Sequence, residues 1–299
     1  MLILQYFNSG IFRYKTLANT MVKNLLIILL ASMGFAIPTT GQTFLQQQMQ
    51  YPVFRTAFEQ KDSVLKRQFE EKGLSYPAHY LYLRSFKYDS RLEVWVKNNP
   101  TDTFTLFKSY RICALSGTMG PKRQEGDRQV PEGFYYINEF NPRSTYHMAL
   151  GLNYPNFSDR AHGGKNPGGG IYIHGSCVTV GCIPLTNPQI EEVYLLAAHA
   201  RDLGQNYIPV HIFPVQFNNK RSVDFLNKGS YSGDISQQFW VNLKTAYDDF
   251  NRTHRLPLIL FDGKGNYIVE SNSEAPGAEA PATAENMPAV PARGTAGNF

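Results

Sequence analysis

The chain has 299 residues, 42% hydrophobic and 18% charged, enough to bury one sizeable core and unlike a collagen-like or wholly disordered chain. Its formal charge is +5, but Arg13, Lys15 and Lys23 fall in the first 41 residues, which hold no acid. The remainder carries 26 basic against 24 acidic residues, too even a balance to mark a nucleic-acid partner.

Met21-Val22-Lys23-Asn24 precedes an apolar run from Leu25 to Ile37 that Ser32 and Gly34 interrupt. A basic start, a short apolar stretch and small residues predict a secretory signal over 1–41, with Met21 a candidate start and cleavage between Ala36 and Gln42. The run is too short and broken for a membrane span, so none is expected after cleavage, and the location implied is the periplasm or cell envelope.

From Gln42 to Lys72, Phe54, Phe58, Leu65 and Phe69 recur at helical spacing, and Gly73 suits the helix end. This predicts one N-terminal helix within 42–76. From Pro77 the period shortens. Tyr80 and Tyr82, Leu92–Val96, Phe104–Leu106, Phe134–Ile137, Tyr146–Leu150, Ile171–Ile173 and Val210–Phe213 read as strands divided by turn residues. A helix follows Thr186, with Asn187 as its cap, Pro188 as its first residue and Gly204 beyond its end. Phe239, Leu243, Tyr247 and Phe250 mark a second helix over 237–250. A hairpin pairs Leu258–Phe261 with Tyr267–Val269 around Asp262-Gly263-Lys264-Gly265. Residues 271–299 are rich in Ala, Pro, Gly and Glu and read as a disordered tail. The fold class is mainly β with helices (α+β), a sandwich or barrel-like core with flanking helices.

The chemistry concentrates in Ile171-Tyr172-Ile173-His174-Gly175-Ser176-Cys177-Val178-Thr179-Val180-Gly181-Cys182-Ile183. A strand delivers His174, a glycine-bearing turn follows, and a second glycine precedes Cys182. Only a thiolate attacks well, and an ordinary thiol is mostly protonated at neutral pH, so an imidazole within reach is the natural base. Gly181 permits a tight backbone whose N–H groups face a developing oxyanion. Three cysteines in an exported chain leave at least one thiol free.

This segment resembles the L,D-transpeptidase catalytic domain, in the murein transpeptidase branch with short His-to-Cys spacing, whose HG-x-C-x-x-x-GC signature is matched by His174, Gly175, Cys177, Gly181 and Cys182. Pro131-Glu132-Gly133-Phe134-Tyr135, Tyr146-His147, Leu152–Asn156, Asp159–Gly163 and Phe239-Trp240 with Tyr247-Asp248 extend the likeness over about 77–270. The resemblance implies a catalytic domain over 77–215 and a helix-and-hairpin extension over 216–270. It implies Cys182 as nucleophile, His174 as base, oxyanion donors from the backbone beside Gly181 and Cys182, and a Gly175 or Ser176 carbonyl orienting the imidazole. Arg160, His147, Tyr154, Tyr172 and Asn156 are the expected substrate-lining residues. The partners implied are peptidoglycan stem peptides and, for some members of the branch, a wall-attached lipoprotein. The reaction implied is acyl transfer from the diamino residue of a stem tetrapeptide through a thioester, with hydrolysis of the same bond class as the alternative. A silent wall-binding module is the alternative of another class.

Other readings of the same residues stay open. Cys177 is a second candidate nucleophile, a partner for Cys182 or core filler, and Cys113 reads as core within Ile112-Cys113-Ala114-Leu115. His147 and His162 with His174 and the cysteines are a conceivable zinc set, but no CxxC or HExxH spacing supports one, so no metal or organic cofactor is expected.

Overall fold

The computed structural model describes residues 41–228 and 237–271. The expected export segment and tail fall on 1–40 and 272–299, outside these residues. Where one N-terminal helix was expected there are two, α1 (Phe44–Gln48) and α2 (Pro52–Glu70). The break has a local cause: Pro52 has no N–H to donate into a preceding turn, and it opens α2 as its first residue.

Eight strands form one sheet: β1 (Tyr80–Phe86), β2 (Arg91–Lys97), β3 (Thr105–Arg111), β4 (Gly133–Asn141), β5 (Ala149–Leu152), β6 (Tyr172–His174), β7 (Ile183–Pro184) and β8 (Ile208–Phe213). Their order is β3-β2-β1-β8-β4-β5-β6-β7. Only the β1–β8 and β6–β7 neighbours run parallel. Between strands lie α3 (Phe157–His162) and α4 (Asn187–Asp202), and after β8 come α5 (Lys220–Lys228) and α6 (Gln237–Thr253). A separate hairpin, β9 (Leu258–Phe261) and β10 (Tyr267–Glu270), ends the described chain. It turns where the sequence places it, with the Asp262 carboxylate accepting from the Lys264 and Asn266 N–H groups at 2.8 Å.

The alternation of each strand divides its residues between two layers. One face meets α2 and α4 and holds the larger core, with Phe54, Leu83, Tyr135, Leu150, Ile173, Tyr194 and Val210 all buried. Each such side chain contributes roughly 1.5–3 kcal/mol through its removal from water. The opposite face is covered over part of its width by α6 and β10, where Phe86, Phe134, Phe213, Leu243, Tyr247 and Tyr267 pack together. Over β5, β6 and β7 no such aromatic cluster covers it.

Two expectations shift. The strand read over Tyr146–Leu150 starts only at Ala149, because His147 adopts φ +69°, outside the extended region. The cap of α4 is Thr186 rather than Asn187; its N–H donates to Gln189 Oε1 at 3.0 Å, and Asn187 becomes the first helical residue.

Candidate active site

The site lies at the β6–β7 edge of the sheet. Pairing sets Ile173 opposite Ile183 and His174 opposite Pro184. Cys182 immediately precedes β7, two residues before Pro184, so alternation puts it on the His174 face, beside Tyr172 and diagonal to His174. Diagonal positions in a sheet lie about 7–8 Å apart, within reach of an imidazole and a thiol that lean together. On the neighbouring strand the same face shows only Ala149, opposite His174, and Gly151, opposite Tyr172.

His174 is buried, with Nδ1 2.5 Å from the Gly175 carbonyl oxygen. A carbonyl only accepts, so Nδ1 carries the proton and the neutral ring keeps Nε2 as its acceptor. Burial pushes the His174 pKa below its usual value, against the pull of the Gly175 bond. The Tyr146 ring lies 4.9 Å from the imidazole and helps fix its plane.

Cys182 is half-buried and is the free thiol among the described residues. Its Sγ lies 3.6 Å from the Gly170 carbonyl oxygen. Burial pushes the thiol pKa up, while the Tyr172 backbone and the Lys122 charge pull it down. Burial therefore disfavours the charged form of both groups.

The Gly-Cys backbone is held tightly. Gly181 has φ +101°, and a Cβ there would stand 2.9 Å from the Gln129 carbonyl oxygen. Its N–H donates to Ser116 Oγ at 2.7 Å, and the Cys182 N–H donates to Thr179 Oγ1 at 2.8 Å. The two amides expected to face an oxyanion are thus both engaged by hydroxyls in this resting geometry. Gly175 is needed for space: a Cβ would meet Asn187 Oδ1 at 2.7 Å and the His147 Cβ at 2.8 Å. Ser176, at φ +61°, donates its N–H to Asn187 Oδ1 at 2.9 Å.

Two readings of the cysteines are corrected. Cys113 and Cys177 form a disulfide with Cα atoms 5.4 Å apart, so Cys177 is neither a free nucleophile nor a partner of Cys182, and Cys113 is not core filler. Their meeting follows from topology: beyond β3 the chain runs beside β7, where the Cys113 N–H donates to the Pro184 carbonyl at 3.1 Å. The disulfide ties the His174–Cys182 loop to that segment.

The remaining candidates scatter. Tyr172 flanks Cys182, and its hydroxyl donates to Glu139 Oε2 at 3.0 Å. His147 braces the loop from behind, with Nε2 2.9 Å from Glu191. The Tyr154 hydroxyl donates to the Pro167 carbonyl at 2.9 Å, and the Asn156 amide donates to the Phe134 carbonyl and to Tyr267 Oη while its oxygen caps α3, so both side chains are spent within the fold. Arg160 is exposed, lines the cleft beside β4 together with Tyr154 and Asn156, and donates to the Pro155 carbonyl. Among the described residues no group of three or more His, Cys, Asp and Glu converges as a metal site.

Sequence reasoning missed Ser116, Lys122 and Gln129. All three belong to the segment 112–132, far from the motif in sequence. Thr179, inside the motif, carried a legible signal as a hydroxyl three residues before the cysteine. Lys122 is buried and held by Asp127 Oδ1 at 2.6 Å and the Gln124 carbonyl at 2.9 Å. Beneath the segment, buried Lys87 pairs with Glu132 at 3.0 Å and donates to the Gly120 and Val130 carbonyls, fixing the backbone that carries these groups.

A sheet edge presenting a cysteine and a histidine on one face is the arrangement of a thiol acyl-transfer domain. The chain matches the model of the L,D-transpeptidase catalytic domain (YkuD) over residues 87–212. It is also 33% identical over 207 residues to YafK of Escherichia coli strain K12, a provisionally named L,D-transpeptidase, covering 69% of this chain and 78% of that protein. The chain belongs to the L,D-transpeptidase catalytic-domain family. Among solved structures, the helical cell shape determining protein Pgp2 of Campylobacter jejuni is 21% identical, covering 66% of this chain and 80% of that one, with a TM-score of 0.35. Bd1075 of Bdellovibrio bacteriovorus is 20% identical, covering 51% and 56%, with a TM-score of 0.34. None of the described helices is long and apolar enough to cross a membrane.

Proposed function

We propose that this protein is a peptidoglycan L,D-transpeptidase of the cell envelope, with Cys182 as nucleophile and His174 as base. The observation that supports the reading is the β6–β7 register, in which Cys182 and His174 fall on the same face of neighbouring strands at the sheet edge. As His174 Nε2 takes the thiol proton, sulfur attacks the carbonyl of the third, diamino residue of a stem tetrapeptide. The tetrahedral intermediate collapses, the C–N bond to D-Ala breaks, and the imidazolium returns its proton to the leaving amine. An amine of a second stem, or of a protein, then attacks the thioester and regenerates the thiol. Lys122 supports the sulfur's negative charge as it develops, and Gly175 keeps the imidazole in the productive tautomer.

The test is the mass spectrum of tetrapeptide muropeptides incubated with the protein, its Cys113–Cys177 disulfide intact, and with Cys182→Ala. The expected result is 3–3 cross-linked dimers, or exchange of D-Ala, with wild type alone. Tripeptides without dimers reassign the protein as a hydrolase of the same bond, and turnover by Cys182→Ala refutes the mechanism.

A further inference from the structure

The sheet continues from Cys182 in one direction only, because β7 is its edge strand. Along that direction the Cys182 face passes over Tyr172 and reaches Gly151, which has no side chain. A Cβ there would strike the Glu139 Cβ at 2.9 Å, the Tyr172 ring at 3.0 Å and the Asn138 amide oxygen at 3.2 Å. The Tyr172 ring and the Glu139 side chain, joined by their hydrogen bond, therefore close over Gly151, which is buried beneath them. Further along the same face lies a cleft of about 760 Å³ between β4, the start of β8, α3 and the β9–β10 hairpin.

That cleft is built of rings. Tyr207 stands edge-on to Tyr136 with centroids 4.9 Å apart, and Phe157 edge-on to Phe261 at 5.6 Å. Tyr207 is 67% exposed, Phe157 44% and Phe261 39%, an unusual outlay of aromatic surface to water on one cleft. Asn138 and Arg160 supply polar groups among them. Flat rings with a few amide and guanidinium donors match a sugar, which offers apolar C–H faces and a rim of hydroxyl and acetamido groups.

We propose that this cleft binds the glycan of the muropeptide, with the sugar that bears the stem seated on Tyr136 and Tyr207. The proposal rests on the acylation of Cys182 by the third stem residue. Distance supports it. From β7 to β4 is three strand spacings, about 14 Å. Three extended stem residues and the lactyl link, four residue-like units in all, span about 13–14 Å. Strand pairing runs from Cys182 past Tyr172 and Gly151 to Glu139, so a stem whose third carbonyl meets Cys182 brings its lactyl link over Glu139, and the sugar it bears extends along β4 toward Tyr136, three residues away.

The test uses isothermal titration of the Cys182→Ala protein, which binds without turning over, with disaccharide-tetrapeptide and with the same tetrapeptide lacking sugar. The disaccharide form is expected to bind about ten-fold tighter, as a stacked ring pair contributes. Tyr207→Ala in the same background is expected to lose that increment. Leu203→Ala, an exposed apolar residue at the end of α4, is expected to keep it. Equal affinity for the two ligands, no binding of either, or an increment that survives Tyr207→Ala overturns the proposal. Because no reaction is read, a sugar increment in a protein whose wild type forms no thioester would sink the catalytic reading and leave the glycan cleft standing.

Discussion

One face of one sheet is used in two opposite ways. Over β1, β8 and the first half of β4 it is roofed by α6 and β10, with large rings beneath. Arg84 there is buried, its guanidinium donates to Glu93 Oε2 at 2.8 Å, and its carbon lies 4.8 Å from the Trp95 and Phe250 ring centroids. Over β5, β6 and β7 the same face shows Ala149, Gly151, Tyr172, His174 and Cys182, of which the first two and His174 are buried and the others half-buried. The roofed half stabilises by burying large rings. The other half carries small and polar side chains instead, and its rigidity comes from behind the sheet and from loops. The Cys113–Cys177 disulfide, the Lys87–Glu132 pair and the Asn187 hydrogen bond to Ser176 supply it.

Substitutions separate the two halves. Phe213 is fully buried between Phe86, Phe134 and Tyr247, and Phe213→Ala is expected to cost about 3–5 kcal/mol in urea unfolding. A loss under 1 kcal/mol would show that the roof is not the stabilising half. Replacing both Cys113 and Cys177 by Ser opens a link between residues 64 apart in sequence, for a predicted loss of up to about 4 kcal/mol. Turnover is expected to fall further than the folded fraction, because the loop between His174 and Cys182 loses its tether. Gly181→Ala forces a Cβ against the Gln129 carbonyl at a positive φ, with an expected cost of about 1–3 kcal/mol and a displaced thiol. Its signature is slower alkylation of Cys182 in a protein that still unfolds cooperatively.

The smallest effect is in pH. His174 must be neutral to accept the thiol proton, and burial lowers its pKa, so activity is retained as pH falls past the usual imidazole value and is lost only below it. Burial raises the Cys182 pKa, so the thiol keeps its proton, and the neutral pair its form, to a higher pH than a free cysteine. The kcat/KM profile is predicted to be a plateau wider than an unperturbed His and Cys would give. An acid limb above pH 6.5 contradicts this assignment.

The halves also differed in how far sequence revealed them. The half that carries His174 and Cys182 was legible because His174, Gly175, Gly181 and Cys182 fall within nine residues and glycine placement speaks directly of backbone. The strand alternation and the Phe239–Phe250 stripe announced the roofed half equally well. What stayed hidden was set by contacts distant in sequence. Nothing in the spacing of three cysteines says that Cys113 meets Cys177, and no local pattern brings Lys122 toward Cys182. Tyr154 and Asn156 line the cleft beside β4, but their hydrogen bonds to Pro167, Phe134 and Tyr267 join residues distant in sequence, which no local pattern shows. The strand β7 has only two residues, too few for a period to show.

The central claim is that Cys182 becomes acylated by a stem peptide. Intact-protein mass spectrometry of the protein with its Cys113–Cys177 disulfide intact, after rapid mixing with tetrapeptide and an acid quench, reads that bond directly. A species heavier by the stem tripeptide less one water, mapped to Cys182 and released by hydroxylamine, is the predicted result. An adduct on another residue, or product formed with no acylated protein at any mixing time, contradicts it.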